Sequence, residues 1–138
     1  MTQCFSKAGL AAGTTTTCIK TTATVNYAIN GVWQTAKAAT DNIALTSIAA
    51  YPLAANTTGY IGVYLDTAGA FAFSPPYAGK PLVDRGNSVT SDVLLPYCFI
   101  GYVKVVTTAV FTPGTTVIGT GNTCTYVDCI APPHPGSL

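Results

Sequence analysis

Apolar and polar residues alternate with a two-residue period along much of the chain. In TTATVNYAINGVWQTAK, Val25, Tyr27 and Ile29 fall on one side, which is the period of a β-strand. Asn30-Gly31 follows, a dipeptide that accepts positive φ at both central positions of a type I′ turn. A hairpin is predicted here, with the return strand starting at Val32. Trp33, beside the turn, is expected to be packed across the hairpin or against a second subunit. YIGVYLDTAGAFAFS predicts another hairpin, with strands over 60–65 and 70–73 joined at Asp66-Thr67-Ala68-Gly69. YCFIGYVKVVTT is the run richest in β-formers, and a central strand covered on both faces is expected. CTYVDCI reads as a last strand, and NIALTSI as a shorter one. Residues 36–39 have the alanine content for a single turn of helix.

Other segments lack that period. Residues 1–20 are rich in Gly, Ala and Thr. They read as an extended N-terminal arm, with a short strand near Cys18 and Ile19. Pro75, Pro76 and Pro81 interrupt any ladder after the second hairpin. DRGNSVTSD reads as an exposed loop tip, and the tail at 131–138, APPHPGSL, as extended polyproline. The organisation expected is an arm (1–20), a single all-β domain (21–130) and a Pro-rich tail (131–138). Short strands broken by Gly, Pro and Asn turns suggest a β-sandwich or jelly roll.

Composition narrows the function. The chain has 138 residues, enough for one core, and only 8% of them are charged. All five acids are Asp, and the net charge is +1. Lys7, Lys20, Lys37, Lys80, Arg85 and Lys104 are scattered, whereas nucleic acid and anionic lipid demand clustered cations. No nucleic-acid or membrane partner is expected. With 49% hydrophobic residues, a chain this poor in charge is expected to cover part of its surface with copies of itself, as a homodimer or homotrimer. IALTSIAAYPLAA is too short and too interrupted to span a bilayer. MTQCFSKAGLAAG has no signal-peptide pattern, so assembly in the cytoplasm where the chain is made is expected. The five cysteines, Cys4, Cys18, Cys98, Cys124 and Cys129, are an odd number. They are expected to be reduced packing residues, with a Cys124–Cys129 bridge as the alternative.

Catalysis finds little to work with. His134 is the single histidine and lies in the Pro-rich tail, where a base is not held in place. With no Glu, paired-carboxylate chemistry would fall to Asp41, Asp66, Asp84, Asp92 and Asp128. The first two sit in turns that favour Asp for backbone hydrogen bonds. No P-loop, dinucleotide or zinc pattern is present. No catalytic, cofactor-binding or metal site is expected, and the protein is not expected to be an enzyme. Tyr51, Tyr60, Tyr64, Tyr77, Tyr97 and Tyr102 could instead form a platform for sugars, although tyrosines in strands more often pack half-buried with a wet hydroxyl.

Three stretches taken together carry a resemblance. VNYAINGVWQTAKAATDNIALT, ANTTGYIGVYLDTAGAFAF and CFIGYVKVVTTAVFTPGTTVIG, within 25–119, are similar to a pattern in small structural proteins of tailed bacteriophages. The chain departs from it at VWQTA and in its Cys-bearing ends. The resemblance implies a non-enzymatic virion component, a cement or decoration protein on the capsid exterior whose partner is the major capsid protein. It also implies a β-sandwich that clamps shell subunits through its ends. A host-receptor or glycan-binding module of a head or tail fibre, and a scaffold or connector protein, are the other classes considered.

Overall fold

The computed structural model describes residues 2–78 and 97–130. Eleven strands, in chain order, are β1 (Gln3–Cys4), β2 (Leu10–Ala12), β3 (Cys18–Thr21), β4 (Tyr27–Ile29), β5 (Val32–Trp33), β6 (Ile43–Ala44), β7 (Thr58–Asp66), β8 (Phe71–Phe73), β9 (Tyr77–Ala78), β10 (Tyr97–Thr107) and β11 (Asn122–Asp128). A single 3-10 turn, Thr46–Ile48, follows β6. The fold is all-β and built from three antiparallel sheets, ordered β1-β4-β5, β2-β3-β6 and β11-β10-β7-β8, with β9 also on β7.

Both predicted hairpins form. Asn30 and Gly31 take φ of 51° and 77°, the pair of positive values that a type I′ turn demands. At the second turn the Asp66 carboxylate accepts from the amides of Ala68 and Ala70, each at 2.8 Å. Gly69 supplies the positive φ. The two hairpins are tied together where the Tyr27 hydroxyl donates to the Asp66 carbonyl at 2.8 Å.

β7 and β10 form the backbone of the molecule. Their inner residues Ile61, Val63, Leu65, Cys98, Val103 and Val105 are all buried. They meet Val25, Tyr27, Ile29, Ile19 and Leu10 from the two smaller sheets in one core. The period-2 alternation of a strand puts these side chains on one face. A bulge at Ile100 shifts the register between Phe99 and Gly101, and Gly101 lies close against both β11 and β2. A Cβ there would stand 2.4 Å from the Val127 carbonyl oxygen and 2.6 Å from Leu10. The buried polar residues Thr21, Thr107 and Asn122 are paired. Thr107 donates to the Ala54 carbonyl (2.7 Å) and accepts from Thr57 N–H (3.0 Å). The Asn122 amide is shared among Val117, Thr120 and Gly119.

Several expectations change. The segment 1–20, read above as an arm, instead supplies β1, β2 and all but the last residue of β3, with the core side chains Cys4, Ala8, Leu10 and Ile19. The strand near Cys18 is there as expected. No helical turn occupies 36–39. Lys37 instead bridges Val25 in an antiparallel pair, because a bound ladder satisfies those backbone groups and an isolated turn does not. NIALTSI is strand only over β6 before the 3-10 turn. β10 is central, between β7 and β11, but it is not covered on both faces. Tyr97, Phe99, Tyr102 and Lys104 are half-buried and Val106 is exposed. The loop at 84–92 and the tail at 131–138 lie outside the described residues. Among the described residues no helix is long and apolar enough to cross a membrane.

Candidate functional site

The features that stand out are two aromatic surfaces. The first is at the end of the small β1-β4-β5 sheet. β1 pairs with β4, and the ladder continues through Phe5 N–H to the Asn26 carbonyl at 2.8 Å. Because Cys4 points into the core, strand alternation turns Phe5 outward. Trp33 stands opposite Ala28 on the return strand. The two rings meet with centroids 4.6 Å apart and planes tilted 31°, a favourable offset contact. Trp33 is 65% exposed, Val32 62% and Phe5 39%. Trp33 was expected to pack across the hairpin or against a second subunit; within one copy its ring meets Phe5 and most of the indole faces outward, which corrects the first alternative and leaves the indole open to the second.

The tip is held from both sides. Asn30 N–H donates to Thr2 Oγ1 at 2.9 Å. Gln34 binds back to the Val32 carbonyl at 2.9 Å through its side chain and to the Tyr27 carbonyl at 3.1 Å through its N–H. The apolar rings therefore sit on a fixed support whose other side, Val25, Tyr27 and Ile29, is core.

The second surface is the outer face of the β7–β10 pair. Tyr60 and Tyr102 lie edge-on at 5.9 Å and Tyr64 and Tyr97 at 6.5 Å, while Tyr64 and Phe99 are tilted by 52° at 5.3 Å. All five are half-buried. Burial pushes the Tyr102 hydroxyl pKa up, with smaller contributions from Cys129 and Tyr60. Of the tyrosines singled out in the sequence, Tyr60, Tyr64, Tyr97 and Tyr102 thus come together. Tyr77 pairs with Tyr60 in the backbone register. Tyr51 is apart, exposed in the loop after the 3-10 turn.

The candidate acids are dispersed. Asp41 accepts from the Thr14 and Asn42 amides and from the Thr14 hydroxyl. The Thr14 hydroxyl, before the amides, holds its pKa below the usual carboxylate value. Asp66 is engaged in its turn, and Asp128 accepts from Leu10 N–H at 3.0 Å. Asp84, Asp92 and His134 lie outside the described residues. Among the described residues no group of three or more His, Cys, Asp or Glu is placed to hold a metal ion.

All five cysteines are unbridged, so Cys124 and Cys129 do not form the alternative disulfide in this structure. Burial pushes both thiols up to about 11, which keeps them protonated and poorly reactive at neutral pH. On the same strand as Cys124, the Tyr126 hydroxyl is buried without a hydrogen-bond partner among the described residues. Burial pushes its pKa to about 12.

Sequence reasoning missed Phe5. The signal was faint: one aromatic next to a core cysteine in a segment otherwise of Gly, Ala, Ser and Thr. Comparison of the chain with protein-family models, curated proteins and solved structures gives no match.

Proposed function

We propose that this chain is a non-enzymatic virion protein, a cement or decoration protein that binds the outside of the shell formed by the major capsid protein. In this reading the three sheets act as a jelly-roll-like sandwich that associates with copies of itself, needs no cofactor, and stabilises the shell. The observation that carries it is the Phe5–Trp33 pair with Val32, an exposed apolar tip on a support whose reverse side is core. Contiguous exposed aromatics on a fixed frame are typical of docking surfaces. The phage-like stretches within 25–119 supply the identity of the partner. The docking element is the hairpin tip rather than residues 1–20, since that segment is built into the core.

The test is binding of the purified chain to undecorated shells. Trp33→Ala is expected to weaken binding about 30-fold, the equivalent of a 2 kcal/mol hot spot, while the fold survives. Attachment through apolar contacts is expected to persist at high salt, unlike binding driven by counterion release. Undiminished binding by Trp33→Ala, or a steep loss with salt, overturns the reading.

The exposure of Trp33 also favours a second reading, a receptor- or glycan-binding module. The ring is largely open to solvent, and an exposed aromatic plane suits a sugar. Retention of host-cell glycans by the intact protein, abolished by Trp33→Ala, with no binding to shells, would make this the function instead.

A further inference from the structure

The large sheet has two edges, and they differ. On one side, the chain lying along β7 is broken: β8 ends at Phe73, Pro75 and Pro76 intervene, and β9 has only two residues. Short strands and prolines are how proteins blunt an edge. The other edge is β11, Asn122–Asp128, straight for seven residues (NTCTYVD) with no proline, lysine or bulge. Its single charge, Asp128, is at the last position and is already bonded to Leu10 N–H. Among the described residues β11 pairs with β10 alone, and the edge strands of the two smaller sheets are two or three residues long.

The phase of the ladder says what this edge offers. Cys129 N–H donates to the Ile100 carbonyl, and Thr108 N–H to the Gly121 carbonyl. The alternation of an antiparallel pair then turns the backbone groups of Thr123, Thr125 and Val127 toward β10. It turns those of Asn122, Cys124, Tyr126 and Asp128 away from β10; Asn122 is buried at its end of the strand, and the other three are partly exposed.

The geometry points to a second copy of this chain as the occupant: β11 pairs with β11 of another molecule, antiparallel, about a two-fold axis at Thr125. This register is self-complementary, as an isologous dimer interface must be. It alone uses all seven residues of the strand. Cys124 faces the partner's Tyr126 and Asn122 faces the partner's Asp128, each a pair whose backbone groups point at one another. About eight N–H···O bonds form. No like charges meet across the seam, since the amide of Asn122 stands where a second carboxylate would repel. The half-buried Tyr126 ring comes beside a thiol, a favourable sulfur–aromatic pairing. Because the axis runs through the sheet, both tyrosine-rich outer faces lie on one side of a sheet continuous through both molecules.

The inference rests on the sheet edge and is independent of the shell-binding proposal. The experiment measures the mass of the full chain in solution over a range of concentrations. Thr125 is exposed and stands opposite Lys104 in the β10 register, so a charge placed there also acts on Lys104 within one copy, unfavourably for Lys and favourably for Glu. The wild type is expected to be a dimer. Thr125→Lys and Thr125→Glu each set like charges face to face at the axis, and each is expected to raise the dimer Kd about tenfold or more, an effect of about 1.4 kcal/mol. Their melting temperatures are read in parallel at dilutions where the wild type is also monomeric; Thr125→Lys is expected slightly below the wild type and Thr125→Glu slightly above it, because of Lys104, so loss of the dimer in both variants is not a folding effect. An equal mixture of the two variants is expected to recover the dimer mass, which a folding defect would not allow. Thr125→Cys is expected to form a covalent dimer under mild oxidation, since residues at a non-hydrogen-bonded pair are close enough to bridge. Thr123→Cys, facing Val127 of the partner subunit, is not. A wild type that is monomeric throughout, or a trimer, overturns the inference and leaves the edge to another extended chain. So does a Thr125→Lys variant as dimeric as the wild type, or a Thr123→Cys variant that bridges as readily. A dimer that ignores shells overturns only the virion reading.

Discussion

The two faces of the β7–β10 pair are made from the same strands, with opposite results. Inward, Ile61, Val63, Leu65, Val103 and Val105 are sealed in the core. Outward, Tyr60, Tyr64, Tyr97, Phe99 and Tyr102 meet in edge-to-face and tilted ring pairs and remain half-buried. The inner face is aliphatic, with shapes that interlock and no group that needs water. The outer face is aromatic, with hydroxyls that do. One face therefore carries stability, while the other has area to offer to a partner at small cost to the fold.

Neighbouring residues give the largest test of that contrast. Leu65 is 0% exposed, and Leu65→Ala is expected to cost about 2–5 kcal/mol, the transfer term plus a cavity. Tyr64, one residue earlier and larger, loses its contacts with Phe99 and Tyr97 in Tyr64→Ala. The expected cost is only about 0.5–1.5 kcal/mol beyond its partial burial. Denaturant unfolding of the two variants reads the difference. Equal losses would mean that the outer face is a second core layer rather than an available surface.

A smaller effect sharpens the account of how the faces are held apart. At Gly101 the chain passes so close to Val127 and Leu10 that a methyl group would overlap the Val127 carbonyl. Gly101→Ala is expected to cost about 1–3 kcal/mol by forcing the strands to shift. Gly31→Ala meets no atom within 4 Å but is strained by its φ of 77°. Its expected cost, about 1–2 kcal/mol, comes from the backbone alone. If Gly101→Ala leaves the midpoint of unfolding unchanged, the layers are not in the close contact described.

Much of this arrangement was legible in the sequence, for reasons that particular residues make plain. Asn30-Gly31 and Asp66 to Gly69 are turn chemistry, local and hard to satisfy otherwise, so both hairpins could be read from a few positions. β11 was legible because Cys124, Tyr126 and Thr125 alternate between turn-rich flanks. The outer face of β10 was misread because Tyr, Phe and Val occupy both of its faces, and hydropathy does not separate a tyrosine that packs from one that is merely covered at its ring. Packing of Trp33 within its own hairpin was misread for a related reason: residue type suggested burial, whereas exposure within one copy is decided by where a two-residue strand ends in space. β1 and β2 were missed because strands of two or three residues in a Gly- and Thr-rich segment have no period to detect. Their place depends on ladder partners far along the chain, Ala28 and Tyr27 for β1. The aromatic surfaces share that limit, since register and not local pattern brings Tyr60 to Tyr102 and Phe5 to Trp33.

The smallest effect expected concerns alkaline pH, and it separates the buried side of β11 from its exposed side. Burial raises Cys124 from its ordinary 9.0 to about 11, Cys129 likewise to about 11, and Tyr126 from 10.0 to about 12. Each is an acid whose neutral form is favoured in the folded state. Below pH 9 all three are protonated whether the chain is folded or not, and their contribution to stability is fully present. As pH rises from 9 toward 11 the unfolded thiols release protons while the folded ones retain theirs. The unfolded state then binds fewer protons, and stability falls with pH. The tyrosine extends the loss to about pH 12. All three groups are partly accessible, so solvent softens the slope. The melting temperature is expected to decline across pH 9–11, and Cys124→Ala is expected to flatten that decline, because one of the titrating groups is gone. The exposed residues Thr123 and Thr125, on the other face of the strand, do not titrate. Thr125→Ser should follow the wild-type pH profile. A Cys124→Ala profile as steep as that of the wild type would mean that the thiol of Cys124 is as open to water in the folded chain as in the unfolded one. The inner side of β11 would then no longer count as part of the core.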